Sequence, residues 1–89
     1  MDYLERVAWN LRRIRTARGI SQEALAVDAE IDRTYVSRLE RGMENPTVSV
    51  LGRLSKALEC DITAFFGEIS GEALPVLKKG RKRKPGSSA

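Results

Sequence analysis

Four residues that favour the start of a helix divide most of this chain into short segments. Ser21, Asp32, Thr47 and Asp61 each precede a run of residues with helical spacing of its apolar members, and side chains of these types accept hydrogen bonds from the free amides of a first helical turn. Ahead of them, apolar residues recur three and four apart between positions 4 and 14. No stretch has a convincing strand pattern. The pattern therefore predicts an all-α domain of five short helices.

The bounds of the predicted helices follow from residues that start or stop helical backbone. The first helix ends near Gly19, the second runs from Gln22 to about Ala29, and the third runs from Arg33 to Arg41. Thr47 caps the fourth helix, which runs to about Leu58, and Asp61 caps a last helix through Phe65 and Phe66, which Gly67 stops. One domain accordingly spans residues 1–67. Residues 68–77 form a short extension with an apolar patch, and residues 78–89 have the composition of a basic, disordered tail.

Most of the excess positive charge lies in that tail. The net charge is +4, but six of the 16 Lys and Arg residues lie between positions 78 and 84, which leaves 10 basic against 12 acidic residues in positions 1–77. A nucleic-acid site in the folded part must therefore be argued from the positions of arginines on particular helices, because the overall charge does not indicate one.

The reactive side chains argue against catalysis and metal binding. The chain has no histidine and a single cysteine, Cys60, so the usual zinc ligands, a disulfide framework and the commonest general base are missing. No apolar run is long enough to span a bilayer, and no leader resembles a signal peptide. We expect a cytoplasmic protein that is not an enzyme, does not bind membranes, and has no cofactor, metal or small-molecule ligand.

The second and third predicted helices suit the major groove of DNA. Ala26 keeps the second helix thin where the third crosses it, and Val36 and Leu39 turn one side of the third helix inward. Its other side carries the hydrogen-bonding residues Thr34, Ser37, Arg38 and Arg41, with Arg33 at the amino end. A guanidinium can donate two parallel hydrogen bonds to guanine, and a hydroxyl can bond base edges or phosphates. Arg33 and Arg38 are the leading candidates for reading bases.

Several separated motifs give the chain a family resemblance. Gly19-Ile20-Ser21-Gln22, Ala26, the run from Ile31 to Ser37, Glu40-Arg41-Gly42 and Asn45-Pro46-Thr47 together resemble the lambda-repressor-like, Cro/C1-type (XRE) helix-turn-helix family over about residues 4–66. Within that family, Asp32-Arg33-Thr34-Tyr35 followed by Glu40-Arg41 is similar to the controller proteins of restriction-modification systems, which are small homodimeric autoregulators.

The resemblance implies a function and roles for particular residues. It implies a sequence-specific transcriptional regulator, an activator or a repressor, which acts on the bacterial nucleoid and binds double-stranded DNA as a homodimer at a two-fold symmetric operator. The implied contacts are Arg33, Thr34, Ser37 and Arg38 with bases, Gln22, Tyr35, Arg41 and Asn45 with phosphates or flanking groups, and Phe65 and Phe66 with the second protomer.

In one position the chain departs from the family. The turn between the two helices usually contains glycine because its backbone tends to the left-handed region, and this chain has Glu30 there. A residue with a Cβ costs on the order of 1 kcal/mol in that conformation. We therefore expect a turn that is slightly strained or differently shaped.

Some assignments have a second interpretation. Tyr35 can pack against neighbouring helices instead of facing DNA, and the two phenylalanines can both belong to the core. Trp9 lies opposite the apolar stripe of the first helix, where the patch at residues 74–77 could cover it. Glu40 is assigned to an ion pair with Arg15 in preference to a role in specificity.

Two questions of function also stay open. The basic tail can solubilise the chain, add phosphate contacts or serve as a processing or partner signal. The alternative function for the whole chain is a protein-interaction module of the antitoxin or anti-activator type, with DNA binding secondary.

Overall fold

The computed structural model describes residues 2–68, and these residues form four α-helices and one short 3₁₀-helix. The helices are α1 (Tyr3–Ala17), α2 (Gln22–Ala29), α3 (Arg33–Glu40), α4 (Val48–Leu58) and the 3₁₀-helix (Ile62–Phe66). No strand occurs in residues 2–68, so the all-α prediction is confirmed for this part of the chain. The predicted tail at 78–89, and all of the predicted extension except Glu68, lie outside the described residues.

The predicted count of five helices is matched only in part, because the last one is a 3₁₀-helix and not an α-helix. Only five residues lie between the cap at Asp61 and Gly67, a length typical of the tighter 3₁₀ geometry, which occurs mainly in short pieces. The predicted start at Asp61 and the stop at Gly67 are both present.

All four predicted capping residues accept a hydrogen bond from the helix that they precede. The backbone amide of Ala24 donates to Ser21 Oγ at 3.0 Å, and that of Thr34 to Asp32 Oδ1 at 2.7 Å. Thr47 and Asp61 accept in the same way at 3.1 and 2.9 Å. Capping thus sets the start of each of these helices, as the sequence predicted.

One hydrophobic core joins every helix. It is formed by Val7, Leu11, Ile14, Leu25, Ala26, Ala29, Val36, Leu39, Leu51, Leu54, Leu58 and Phe65. Ala26 and Ala29 are both buried, so α2 offers only small side chains to part of this core. The close approach that this permits holds α3 at the surface of the domain.

A buried asparagine ties α1 to the 3₁₀-helix. Asn10 Nδ2 lies 3.1 Å from the carbonyl oxygen of Phe65 and 2.8 Å from that of Gly67, and Asn10 Oδ1 accepts a hydrogen bond from Arg13. These bonds satisfy main-chain groups at the end of the domain that have no other partner in a short helix.

Candidate nucleic-acid interface

The rotation of α3 is set by two fully buried residues on one side. Val36 and Leu39 are both buried in the core, and the helical period therefore turns the opposite side outward. That side carries the predicted contact residues: Arg33, Thr34 and Arg41 are exposed, and Ser37 and Arg38 are half-buried at its edges. The structure thus brings all five onto one surface, which we call the α3 face.

The turn that precedes α3 has left-handed backbone without a glycine. Glu30 ends α2 with φ 60° and ψ 46°, and the backbone amide of Ile31 donates to the carbonyl oxygen of Ala26 at 2.9 Å. This is the usual C-terminal arrangement in which a left-handed residue allows the chain to satisfy the last carbonyls of a helix. The turn therefore keeps the left-handed geometry typical of glycine, with the strain expected of Glu30.

A buried ion pair fixes the carboxyl end of α3 against α1. Arg15 Nε and Nη2 donate to the two carboxylate oxygens of Glu40 at 2.6 and 3.0 Å, and Arg15 Nη1 donates to the carbonyl oxygen of Ile20 at 2.8 Å. The two side chains are only 9% and 3% exposed. The predicted partnership of Glu40 with Arg15 is confirmed, and it holds α3, the loop before α2 and α1 in one arrangement.

Gln22, a predicted phosphate contact, lies at the same junction. Its Nε2 donates to Glu40 Oε1 at 3.0 Å, and the side chain is half-buried at the first position of α2. Its orientation is therefore held by the carboxylate that also holds Arg15. Amides at a helix start can bind an anion such as phosphate. Asn45, the second predicted phosphate contact, is exposed in the loop after α3.

The two leading base-reading arginines differ in their surroundings. Arg33 Nε lies 3.8 Å from Glu23 Oε2, with both side chains largely exposed, so solvent weakens this contact. Arg38 Nε donates to Glu44 Oε2 at 2.7 Å, and its Nη2 lies 3.5 Å from the carbonyl oxygen of Met43. Glu44 lies between the third and fourth predicted helices, and no local pattern in the sequence indicates that it would meet Arg38.

Tyr35 packs on the flank of the α3 face. It is half-buried against the core, and its pKa is raised by burial and then by the negative charge of Glu44. The phenol therefore stays protonated at neutral pH and keeps a hydrogen-bond donor at the edge of the face. Tyr35 therefore packs against its own domain, as the second interpretation expected, and its contact with DNA stays a prediction.

The structure corrects one of the two predicted interface residues. Phe65 is 0% exposed and fills the core of its own chain, whereas Phe66 is 40% exposed. Two adjacent residues of a 3₁₀-helix point about a third of a turn apart, so one can enter the core while the other faces out. Phe65 cannot contact a second protomer in this arrangement.

Further aromatic and polar groups lie beside Phe66 and were missed. Arg6 Nη1 donates to the carbonyl oxygen of Phe66 at 3.3 Å, and the Arg6 guanidinium lies 5.3 Å from the ring centre of Tyr3, which is also exposed.

Asn10 was also missed, although the sequence contains a signal for it: it lies three residues after Val7 and four before Ile14, on the apolar stripe of α1. A polar residue in such a stripe is expected to find buried partners.

Residues 2–68 give little support for metal binding, a reactive thiol or a membrane-spanning helix. No group of three or more His, Cys, Asp or Glu in this part of the chain could hold a metal ion. Burial raises the pKa of the half-buried Cys60 thiol, which disfavours the reactive thiolate. None of the described helices is long and apolar enough to cross a bilayer.

Comparison with known proteins identifies the family of this fold. Residues 11–65, more than half of the chain, match the helix-turn-helix family. The chain belongs to that family. Control protein C.SmaI of Serratia marcescens is 40% identical over 62 residues, which is 70% of this chain and 74% of that protein. The predicted resemblance to Cro/C1-type regulators and to controller proteins is therefore confirmed.

Solved structures give the same result in three dimensions. The restriction-modification controller protein C.AhdI of Aeromonas hydrophila superposes with a TM-score of 0.69 at 38% identity, over 71% of this helix-turn-helix chain and 96% of that one. The controller C.Esp1396I, solved as a tetramer with its natural operator, superposes with a TM-score of 0.68 at 36% identity, over 74% of this chain and 87% of that one. C.Esp1396I has also been solved with three consecutive residues replaced one at a time, an arginine, a threonine and a tyrosine.

Proposed function

We propose that this chain is a sequence-specific DNA-binding transcriptional regulator that places α3 in the major groove. The observation that carries the proposal is the α3 face: an exposed, hydrogen-bonding side on a helix held rigidly by the Arg15–Glu40 pair and a buried opposite side. An α-helix with its side chains is about 10–12 Å in diameter, and the major groove is about 12 Å wide. The helix is therefore of a size to lie in the groove.

Roles for individual residues follow from their positions on that face. Arg33 and Arg38 are assigned to guanine edges, and Thr34 and Ser37 to base edges nearby. Gln22, at the start of α2, Asn45, in the loop, and the exposed Arg41 are assigned to phosphates. The order arginine, threonine, tyrosine at positions 33–35 matches the order of the three residues replaced in C.Esp1396I, which supports the choice of this segment.

We assign the chain a homodimeric assembly with Phe66 at or near its interface. Phe66 and Tyr3 are exposed large side chains, and Arg6 contacts the Tyr3 ring and the main-chain carbonyl of Phe66. Burying such side chains against a second copy is favourable. Two copies related by a two-fold axis would present two α3 faces to successive major grooves, about 34 Å apart. An operator with two-fold symmetry follows. By analogy with the controllers, its expected location is the promoter of the chain's own gene.

Selection from a pool of duplexes with a randomised central segment tests the assignment. The wild-type protein should enrich a two-fold symmetric sequence, and Arg33→Ala or Arg38→Ala should each weaken binding to it by about 1–3 kcal/mol. Lys56→Ala is the matched control, because it removes the same charge from an exposed position on α4. If both arginine variants bind the enriched duplex as tightly as the control does, α3 is not the reading helix and the protein-interaction alternative gains support.

A further inference from the structure

Arg38 has one of its two hydrogen-bonding edges already occupied within the protein. Its Nε and Nη2 face Glu44 and the carbonyl oxygen of Met43. The edge formed by Nη1 and the second hydrogen of Nη2 has no partner among the described residues. Since a guanidinium carries five N–H donors in a fixed planar fork, holding one edge fixes the direction of the other.

Glu44 has the position and charge to orient this fork. The Nε to Oε2 distance is 2.7 Å, and the side chains of Arg38 and Glu44 are 42% and 28% exposed, so solvent screens the pair less than it screens Arg33 and Glu23 at 3.8 Å. Tyr35 packs on the same flank of α3, and the charge of Glu44 acts on its phenol. The carboxylate thus sits at the edge of the α3 face.

We propose that Glu44 is a positioning residue for DNA recognition, which holds the Arg38 side chain so that its Nη1–Nη2 edge meets a guanine. The inference rests on the proposed DNA-binding function. An oriented arginine loses less side-chain freedom when it binds a base than a freely rotating one does.

Two substitutions at Glu44 separate positioning from charge. Glu44→Ala removes both the carboxylate and the acceptor for Arg38 Nε, whereas Glu44→Gln removes the charge and keeps an acceptor oxygen of the same reach. Asp28→Ala is the matched control, because it removes one negative charge from an exposed residue of α2 that has no part in the proposed interface.

The readout is the base preference of each variant in the randomised duplex pool, with a scrambled duplex of equal length as the non-specific reference. Arg38→Ala should abolish the preference at one base pair in each half-site. Glu44→Ala should reduce the preference at that same base pair about 2- to 10-fold, because the Arg38 side chain must then be ordered when it binds the base. Glu44→Gln should retain most of it, and Asp28→Ala all of it. Adding Glu44→Ala to Arg38→Ala should cause no further loss.

Three results would overturn the positioning role while leaving the proposed function standing. These are an unchanged preference in Glu44→Ala, equal losses in the Ala and Gln variants, and a loss spread evenly over all duplexes. If the wild-type protein enriches no sequence, or Arg38→Ala keeps every preference, the base-reading role of Arg38 fails and this inference fails with it.

A second measurement tests the orientation without DNA. In the free protein, the NMR signal of Arg38 Nε–H should be protected from exchange with water, and Glu44→Ala should remove that protection. An Nε–H that exchanges equally fast in both proteins would contradict a fixed Arg38 side chain.

Discussion

Replacing Glu30 by glycine should stabilise the domain by about 0.5–1 kcal/mol. Glu30 has φ 60°, where a residue with a Cβ is disfavoured by roughly 1–2 kcal/mol. Glycine relieves this cost and adds about 0.5–1 kcal/mol of backbone entropy lost on folding. The difference between the two is the expected gain.

Replacing Glu30 by glycine removes few contacts that could offset the gain in stability. Its side chain is exposed and makes no hydrogen bond or ion pair with the described residues, and its contacts are made by the backbone. The amide donates to carbonyl oxygens near the end of α2, and the carbonyl oxygen accepts from Arg53 Nη1 at 3.4 Å. Glycine keeps both. For a domain of 60–100 residues, 1 kcal/mol changes the Tm by roughly 4–8 °C, so we expect a rise of about 2–8 °C.

Thermal unfolding followed by far-UV circular dichroism measures this rise. Glu30→Ala is the matched control, since it removes the same carboxylate and keeps the Cβ, and it should give no comparable gain. Equal shifts in the two variants would assign the effect to charge and refute the backbone argument, as would a lower Tm for the glycine variant. Glu59, with φ 58°, is in the same conformation but lies 4.0 Å from Arg18, so glycine there should gain less.

Three other substitutions have expected results. Glu40→Ala leaves Arg15 buried without its carboxylate partner and should lower the free energy of unfolding, measured in urea, by about 3–5 kcal/mol. A urea midpoint equal to that of the wild type would show that water replaces the lost carboxylate. Gly52→Ala adds a methyl group that meets nothing within 4 Å and should gain about 0.5–1 kcal/mol, so an unchanged midpoint would count against it. Hydrogen bonds from the amide and hydroxyl of Thr63 lower the pKa of Asp61. The stability from these bonds is therefore present above the ordinary Asp pKa and lost as pH falls through the lowered value. In an NMR titration Thr63→Val should move the Asp61 midpoint upward, and no movement would exclude the hydroxyl as a cause.

Local signals in the sequence were sufficient to predict the helices and most of the candidate face. A capping side chain and the amide that it satisfies are two or three residues apart, as for Ser21 and Asp32, so the start of a helix is encoded within one turn. Helical periodicity likewise turned Val36 and Leu39 inward, and the face opposite them outward, without knowledge of any other helix. The left-handed turn at Glu30 was expected from the family resemblance, which left a differently shaped turn open.

Contacts between residues distant in sequence were less predictable. The sequence could not say that Phe65 enters the core while Phe66 stays exposed, because this depends on where α1 passes the 3₁₀-helix. The bonds from Asn10 to Phe65 and Gly67 join residues 55 and 57 positions apart. The pair of Arg15 and Glu40 was the exception, since Glu40 was predicted to lie near the inward edge of its helix, where a carboxylate is expected to pair with an arginine.

The sequence by itself thus determined where each helix begins, which side of it is buried and which residues form the α3 face, because these depend on hydrogen bonds and periodicity within a few residues. Only the tertiary structure decided how those residues are held. Glu44 meets Arg38 because the loop after α3 folds back on the helix, and Gln22 shares Glu40 with Arg15 because three segments meet at one buried carboxylate. Such contacts depend on how separate segments pack around one core, and the pattern of residues along the chain does not show which segments will come close together.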